Sequence, residues 1–302
     1  MSAADVRRSI GLDAPLSLEA LHKVQSSRNE PEMPLSRSQE AVVASEYTKL
    51  DSLHTRIATH RLYSEHPDSP DGALFDLLRL PSARSLLDIG CGTGEFLQTL
   101  ANTGHSGRLV GIDTSAEAVE AIGHVGEVQA IEASAIALPF SDGNFDVATA
   151  RHMLYHVPDP GPALEEARRV LRSGGTFAAV VNHSETVPRT ITLVRDVVRE
   201  AGVIAAPSPL NGVHSGSLPS LVQQVFGNHE VRRFDNALIF DRPEPLAVFA
   251  GALLSFCGVP PEAVGHASLV QELADRAEGW FRDSHTPWRD PKGYIVCTAL
   301  VP

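Results

Sequence analysis

The spacing of apolar residues changes its period along this chain. Leu50, Leu53 and Ile57, continuing to Arg61 or Ser64, recur at steps of three and four and predict a helix that stops before His66-Pro67. Residues 1–45 are polar and contain Glu30-Pro31-Glu32-Met33-Pro34, which reads as a loosely structured arm with one short helix near 17–25. A second short helix is expected near 72–80. From residue 85 onward, compact apolar runs at 85–89, 108–112, 127–131, 145–149 and 176–181 read as strands. Helical patterns separate them at 95–103, closed by Gly104, at 115–122, with Thr114 and Glu117 forming a capping box, and at 160–171, followed by Gly174-Gly175.

Strands that alternate with helices predict a mostly parallel sheet with helices on both faces, an α/β fold. The last third is less regular. Helices are expected at 189–201 and 217–226, on either side of a Pro-, Gly- and Ser-rich loop at 205–217, and strands at 231–240 and 294–301. The largely helical residues between those two strands are expected to belong to one cap insertion before the closing strand. The chain thus divides into an N-terminal arm and helical lid (1–80), a core (81–185) and a cap with closing strands (186–302).

Composition narrows the functional classes. A formal net charge of −12 over 302 residues opposes a polyanionic partner such as nucleic acid. Cys91, Cys257 and Cys297 show neither metal-ligand spacing nor an even disulfide set, which suits a reduced, cytoplasmic protein. No apolar run reaches the roughly 18 residues a membrane-spanning helix needs, and Met1–Pro15 lacks a signal-peptide core, so no membrane partner is expected.

The chemistry concentrates in Asp88-x-Gly90-Cys91-Gly92-x-Gly94, which follows a strand and opens a helix. Glycine there lets a nucleotide-like ligand lie against the backbone. The dinucleotide pattern Gly-x-Gly-x-x-Gly would place its third glycine at 95, where this chain has Glu95. Glu95 and Asp88 disfavour a pyrophosphate and suit a cationic ligand. Asp113 ends the second strand, twenty-three residues after Gly90, where a carboxylate can accept both hydroxyls of a ribose.

Further along stand Leu138-Pro139-Phe140 before the fourth strand, Tyr155-His156-Val157-Pro158, and Leu171-Arg172-Ser173-Gly174-Gly175. With the glycine loop and Asp113, these motifs make residues 86–182 resemble the class I S-adenosylmethionine-dependent methyltransferases, in the small-molecule branch that carries the Leu-Pro-Phe turn. The resemblance implies a Rossmann-like, seven-stranded sheet, an N-terminal helical lid and a C-terminal helical cap insertion. It implies S-adenosyl-L-methionine as cofactor and S-adenosyl-L-homocysteine as product. Asp88, Gly90, Cys91 and Gly92 would border the methionine part and ribose, with Asp113 and Thr114 at the ribose hydroxyls. Ser134, Ala135 and Ile136 would border the adenine, and Arg151 would lie beside the methionine end. Where the family usually shows Gly-Asp-Ala, this chain has Ala133-Ser134-Ala135, so the adenine-amine contact loses its charge. The segment 47–61 resembles lid helices of bacterial natural-product methyltransferases, which places Tyr47 and Arg61 near the methionine end.

Methyl transfer from a sulfonium needs orientation and desolvation, and a base only where the acceptor must lose a proton. In a parallel sheet, ligands sit at the carboxyl ends of the strands. His152 and His183 follow two such ends, His214 lies in the loop before the cap, and Tyr155 and His156 occupy the turn after the fourth strand. His152 and His156 lack a third ligand, so no metal is expected. The expected function is methylation of a small specialised metabolite by a monomer or homodimer. An aromatic or heteroaromatic acceptor, of which an indole-type carbon or nitrogen is one form, fits the resemblance. Cyclisation on the same fold and non-catalytic binding of the cofactor are the alternatives.

Overall fold

The computed structural model describes residues 50–78, 84–122, 128–206 and 212–302. Tyr47 and the helix expected near 17–25 lie outside the described residues. Two helices open the described chain, α1 (Leu50–Tyr63) and α2 (Pro70–Leu78). Then come β1 (Leu86–Ile89), α3 (Glu95–Asn102), β2 (Leu109–Asp113), α4 (Ala116–Ile122), β3 (Val128–Glu132), β4 (Phe145–Arg151), α5 (Pro160–Val170) and β5 (Leu171–Asn182). The last third contains α6 (Pro188–Glu200), α7 (Leu218–Phe226), β6 (Glu230–Phe240), α8 (Pro243–Ala252), α9 (His266–Ser284) and β7 (Trp288–Leu300).

The seven strands form one sheet in the order β3-β2-β1-β4-β5-β7-β6. β1 to β5 pair in parallel, and β7 runs antiparallel to both of its neighbours. This is the Rossmann-like α/β fold expected from the alternating pattern. Side chains of a strand alternate between faces, so each strand feeds two cores. Leu87, Ile89, Val110, Ile112, Ala148 and Phe177 pack with Leu164 of α5 and Val222 of α7. Leu86, Leu109, Val147 and Val180 pack on the other face with Leu74 of α2 and Phe96 of α3.

Two expectations need correction. First, α1 forms where predicted, but it does not bury the predicted face. Ile57 is 42% exposed, while Arg56 and Thr59 are buried. The helix packs on α8, where Arg56 donates to the Ala252 carbonyl at 3.2 Å and lies 4.2 Å from the centroid of the Phe256 ring. Second, α4 is capped by Ser115 and not by Thr114: Ser115 Oγ accepts from the Ala118 amide at 3.1 Å and also meets Glu117 at 2.9 Å. The strand expected at 231–240 forms as β6, which joins the core sheet as an edge strand and divides α6 and α7 from α8 and α9, the two helices that lie between β6 and β7.

That division matters for the site. β5 pairs with β7 only as far as Asn182 opposite Tyr294, whereas β6 and β7 continue together to Phe240 opposite Trp288. A two-stranded extension therefore rises past the carboxyl edge of the sheet. It is backed by its own core, in which Leu238, Phe240 and Trp288 pack with Val194 of α6, Phe249 of α8 and Leu273 of α9. The segment between α1 and α2 runs along this extension: Ser64 bridges Leu238, the Glu65 amide donates to the Ala237 carbonyl at 2.9 Å, and the Asn236 side chain both accepts from the His66 amide and donates to its carbonyl. Among the described residues, no helix is long and apolar enough to cross a membrane.

Candidate functional site

The glycine loop follows β1 at the carboxyl edge and turns directly into α3. Gly90, Gly92 and Gly94 all have positive φ, a region open to glycine at little cost. Their surroundings differ. A Cβ on Gly90 would stand 2.7 Å from Met153, and one on Gly94 would stand 2.6 Å from Ile122, so these two glycines permit close packing. A Cβ on Gly92 would meet nothing within 4 Å, so bare backbone there faces open space. Cys91 is buried between the two roles, and burial with the nearby Asp88 and Asp113 pushes its thiol pKa up, leaving it protonated and inert.

Asp113 ends β2 beside this loop. One carboxylate oxygen accepts from the Gly92 amide at 2.9 Å and the other from the Ser115 amide at 3.0 Å. A carboxylate has about four acceptor positions, so two remain for ribose hydroxyls. Thr114 is exposed beside it. Ser134, Ala135 and Ile136 follow β3, where the Ala133 amide donates to the Asp113 carbonyl at 2.9 Å. Ser134 and Ile136 are exposed and Ala135 is buried. The Leu-Pro-Phe turn is pinned behind them by Arg169, which donates to the carbonyls of Leu138 and Phe140, and by Glu166, which accepts from the Leu138 amide.

Asp88 and Arg151 prove to be partners. Asp88 is fully buried, accepts from Thr149 Oγ1 at 2.7 Å and pairs with Arg151 at 2.9 Å. Arg151 reaches on to Asp71 of α2 at 2.7 Å, and its guanidinium lies 4.1 Å from the centroid of Phe96. Burial works to lower its pKa, but the Asp88 and Asp71 charges outweigh it and hold the value above the usual arginine range. Arg61 is exposed and pairs with Glu95 at the start of α3, at 3.2 Å.

The candidate acid/base groups separate. His152 follows β4 with φ of 51° and its amide bonded to the Val180 carbonyl. Its pKa is pushed down to about 4 by burial, then by Arg151 and His156, with Asp68 opposing. His183 is wedged against Gly293, where a Cβ would stand 2.6 Å from its ring, and bonds Asp235 at 3.0 Å. His214 lies in a turn docked on the end of β5 through the Ser215 amide and the Asn182 carbonyl, and its Nδ1 accepts from the Gly216 amide. Tyr155 is half-buried, with its ring 4.5 Å from that of His156.

Sequence reasoning missed several groups that the fold brings to the same edge. Lys292, on the β6–β7 extension, forms a buried ion pair with Asp68 at 2.8 Å. The Tyr294 phenol bonds Asp68 too, and burial with Asp68 pushes its pKa up. His60 of α1 packs edge-on to Phe249, and burial, Lys292 and His152 push its pKa down to about 3. Lys292 stands just before the apolar closing run at 294–301, and an ammonium buried there must find a partner.

Comparison with known proteins agrees with this geometry. A family profile described as a methyltransferase domain matches residues 87–179. A Streptomyces fradiae protein named only as an uncharacterized 37.1 kDa protein of transposon TN4556 is 33% identical over 230 residues, covering 71% of this chain and 64% of that protein. A demethylmenaquinone methyltransferase of Lactococcus lactis is 35% identical over 111 residues, covering 34% of this chain and 44% of that one. The chain thus spans less than two thirds of either relative. Among solved structures, the [4+2]-cyclase SpnF matches 90% of this chain and 99% of its own with a TM-score of 0.56 at 20% identity. A structure from an antibiotic biosynthesis pathway of Anabaena variabilis matches 76% and 96% with a TM-score of 0.57 at 19% identity. At such identities these two speak for the fold alone. Residues 87–179 thus match a methyltransferase domain, the sheet has the Rossmann-like order of that fold, and the open glycine cradle beside Asp113 fits S-adenosyl-L-methionine as cofactor, with S-adenosyl-L-homocysteine as product.

Proposed function

We propose that the protein transfers a methyl group from S-adenosylmethionine to a small-molecule acceptor. The observation that carries this reading is the open backbone at Gly92, held by Asp113 at the carboxyl edge of the sheet. The cofactor supplies the electrophilic methyl group, and the chain's own residues bind, orient and exclude water. Gly90, Gly92 and Asp113 hold the methionine and ribose parts. Ser134 and Ile136 border the adenine, and Asp88 acts through Arg151.

The acceptor lies against the wall formed by the segment between α1 and α2 and by the β6–β7 extension. The half-buried rings of His60, at the end of α1, and His152, after β4, border this wall, which suits an aromatic acceptor. The names of two relatives, demethylmenaquinone methyltransferase and O-methyltransferase resE of Aspergillus sclerotiorum, fit methylation of a small molecule. His152, neutral at physiological pH, takes the proton of an acceptor that must lose one. His214 and Tyr155 are the further candidates for that role. The test is incubation with methyl-labelled S-adenosylmethionine and a panel of phenols, quinols and indoles. A labelled product heavier by one methyl group supports the reading. A product of unchanged mass points to cyclisation, and cofactor binding without turnover of any acceptor points to a binding module.

A further inference from the structure

S-adenosylmethionine and S-adenosylhomocysteine share their adenosine, ammonium and carboxylate groups. They differ by one methyl group and one positive charge at sulfur. A protein can therefore separate cofactor from product by the charge it places near that atom. The glycine loop is bordered by an ion-pair chain that begins at Asp88 of β1, crosses Arg151 of β4 and ends at Asp71 of α2. Asp88 and Arg151 alone cancel. The third member, Asp71, leaves the chain with one net negative charge. The neighbouring Asp68–Lys292 and Glu95–Arg61 pairs each sum to zero, and Asp113 adds its own carboxylate at the Gly92 amide.

We propose that Asp71 is a cofactor-discriminating residue, whose pairing with Arg151 restores a net negative charge beside the glycine loop and favours the sulfonium over the neutral thioether. The inference rests on the function proposed above. Asp71 is well placed to act in this way. It sits in the first turn of α2, whose Gly72 amide is capped by Ser69 Oγ at 3.0 Å. Leu74 of the same helix is fully buried, and Phe75 stacks on Phe96 at 5.0 Å. Phe96 also carries the Arg151 guanidinium, so one ring aligns both ends of the Asp71–Arg151 pair. Asp88 cannot do the same work, because its two oxygens are taken by Thr149 and Arg151 in the interior. Asp71 belongs to the lid and not to the sheet, so the discriminating charge arrives with the element that borders the site from outside.

The test is calorimetric titration of both ligands into the wild-type chain, Asp71→Asn and Asp71→Glu. Asparagine keeps an oxygen that can accept from Arg151 and removes only the charge. A unit charge acting through an effective dielectric of about 20, and partly screened at a side chain 37% exposed, is worth about fivefold in affinity. Asp71→Asn is therefore expected to weaken S-adenosylmethionine about fivefold and to leave S-adenosylhomocysteine within about twofold, while Asp71→Glu restores the wild-type ratio. Equal loss for both ligands, or no loss for either, overturns the inference while leaving the methyltransferase reading in place. A wild-type chain that binds neither ligand overturns that reading and this inference together. Thermal melting of each variant separates a lost charge from a lost fold.

Discussion

The Asp113 carboxylate accepts a hydrogen bond from the Gly92 amide at 2.9 Å, so the residue proposed to take the ribose also fixes the glycine loop. Replacing it has two consequences. Asp113→Ala is expected to weaken S-adenosylmethionine by about 1.5–3 kcal/mol, the value of a charge-assisted hydrogen bond. It also lowers the melting temperature, because the Gly92 and Ser115 amides lose their acceptor. Calorimetry and a thermal melt on one preparation check both. Unchanged affinity would remove Asp113 from the site.

The glycines of the loop are expected to fail differently. Gly92→Ala carries only the cost of a left-handed backbone, about 1–2 kcal/mol. Its Cβ meets no protein atom, so the variant folds and loses the cofactor. Gly94→Ala drives a Cβ to 2.6 Å from Ile122 and adds an overpacking cost of about 1–3 kcal/mol to the same backbone strain. Chemical denaturation should rank Gly94→Ala as the less stable of the two, and equal stabilities would contradict the packing described here.

The Asp68–Lys292 pair is buried and the Arg61–Glu95 pair is exposed. Lys292→Met strands a buried carboxylate and is expected to cost about 3–5 kcal/mol. Glu95→Ala should change stability by less than about 1 kcal/mol. Urea midpoints of the two variants test the contrast.

Acid is expected to destabilise the protein through two half-buried histidines. The pKa values of His152 and His60 are held down at about 4 and about 3, below the usual value near 6.5. Between those limits the unfolded chain binds more protons than the folded one, so stability is full above about pH 6.5 and falls as the pH drops toward 4. His152→Asn should flatten this acid limb, and asparagine tolerates the left-handed backbone at that position. Melting temperatures at stepped pH for wild type and variant give the measurement. Parallel curves would show that His152 contributes nothing to it.

Much of the core was legible because its elements announce themselves locally. The apolar runs of β1, β2 and β4 are buried on both faces, and such strands read as continuous hydrophobic segments. The glycine loop was legible because three positive-φ positions in a row of five favour glycine whatever surrounds them. The face of α1 was not, because Arg56 is buried by a carbonyl and a ring that lie nearly two hundred residues away. The cap of α4 was misplaced by one residue, since Thr114 and Ser115 are both capping residues and the backbone geometry chooses between them.

The sequence by itself determined the sheet, the glycine cradle and the aspartate that holds it, because each follows from backbone geometry and short-range pattern. Only the tertiary structure decided what the charged residues do. Asp88 looked like a free acid for a cationic ligand, and the fold pairs it with Arg151 and then Asp71. Lys292 and Asp68, separated by more than two hundred residues, become one buried pair when the β6–β7 extension meets the segment between α1 and α2. A buried charge takes its meaning from its partner, and that partner is fixed by packing between elements distant in the chain.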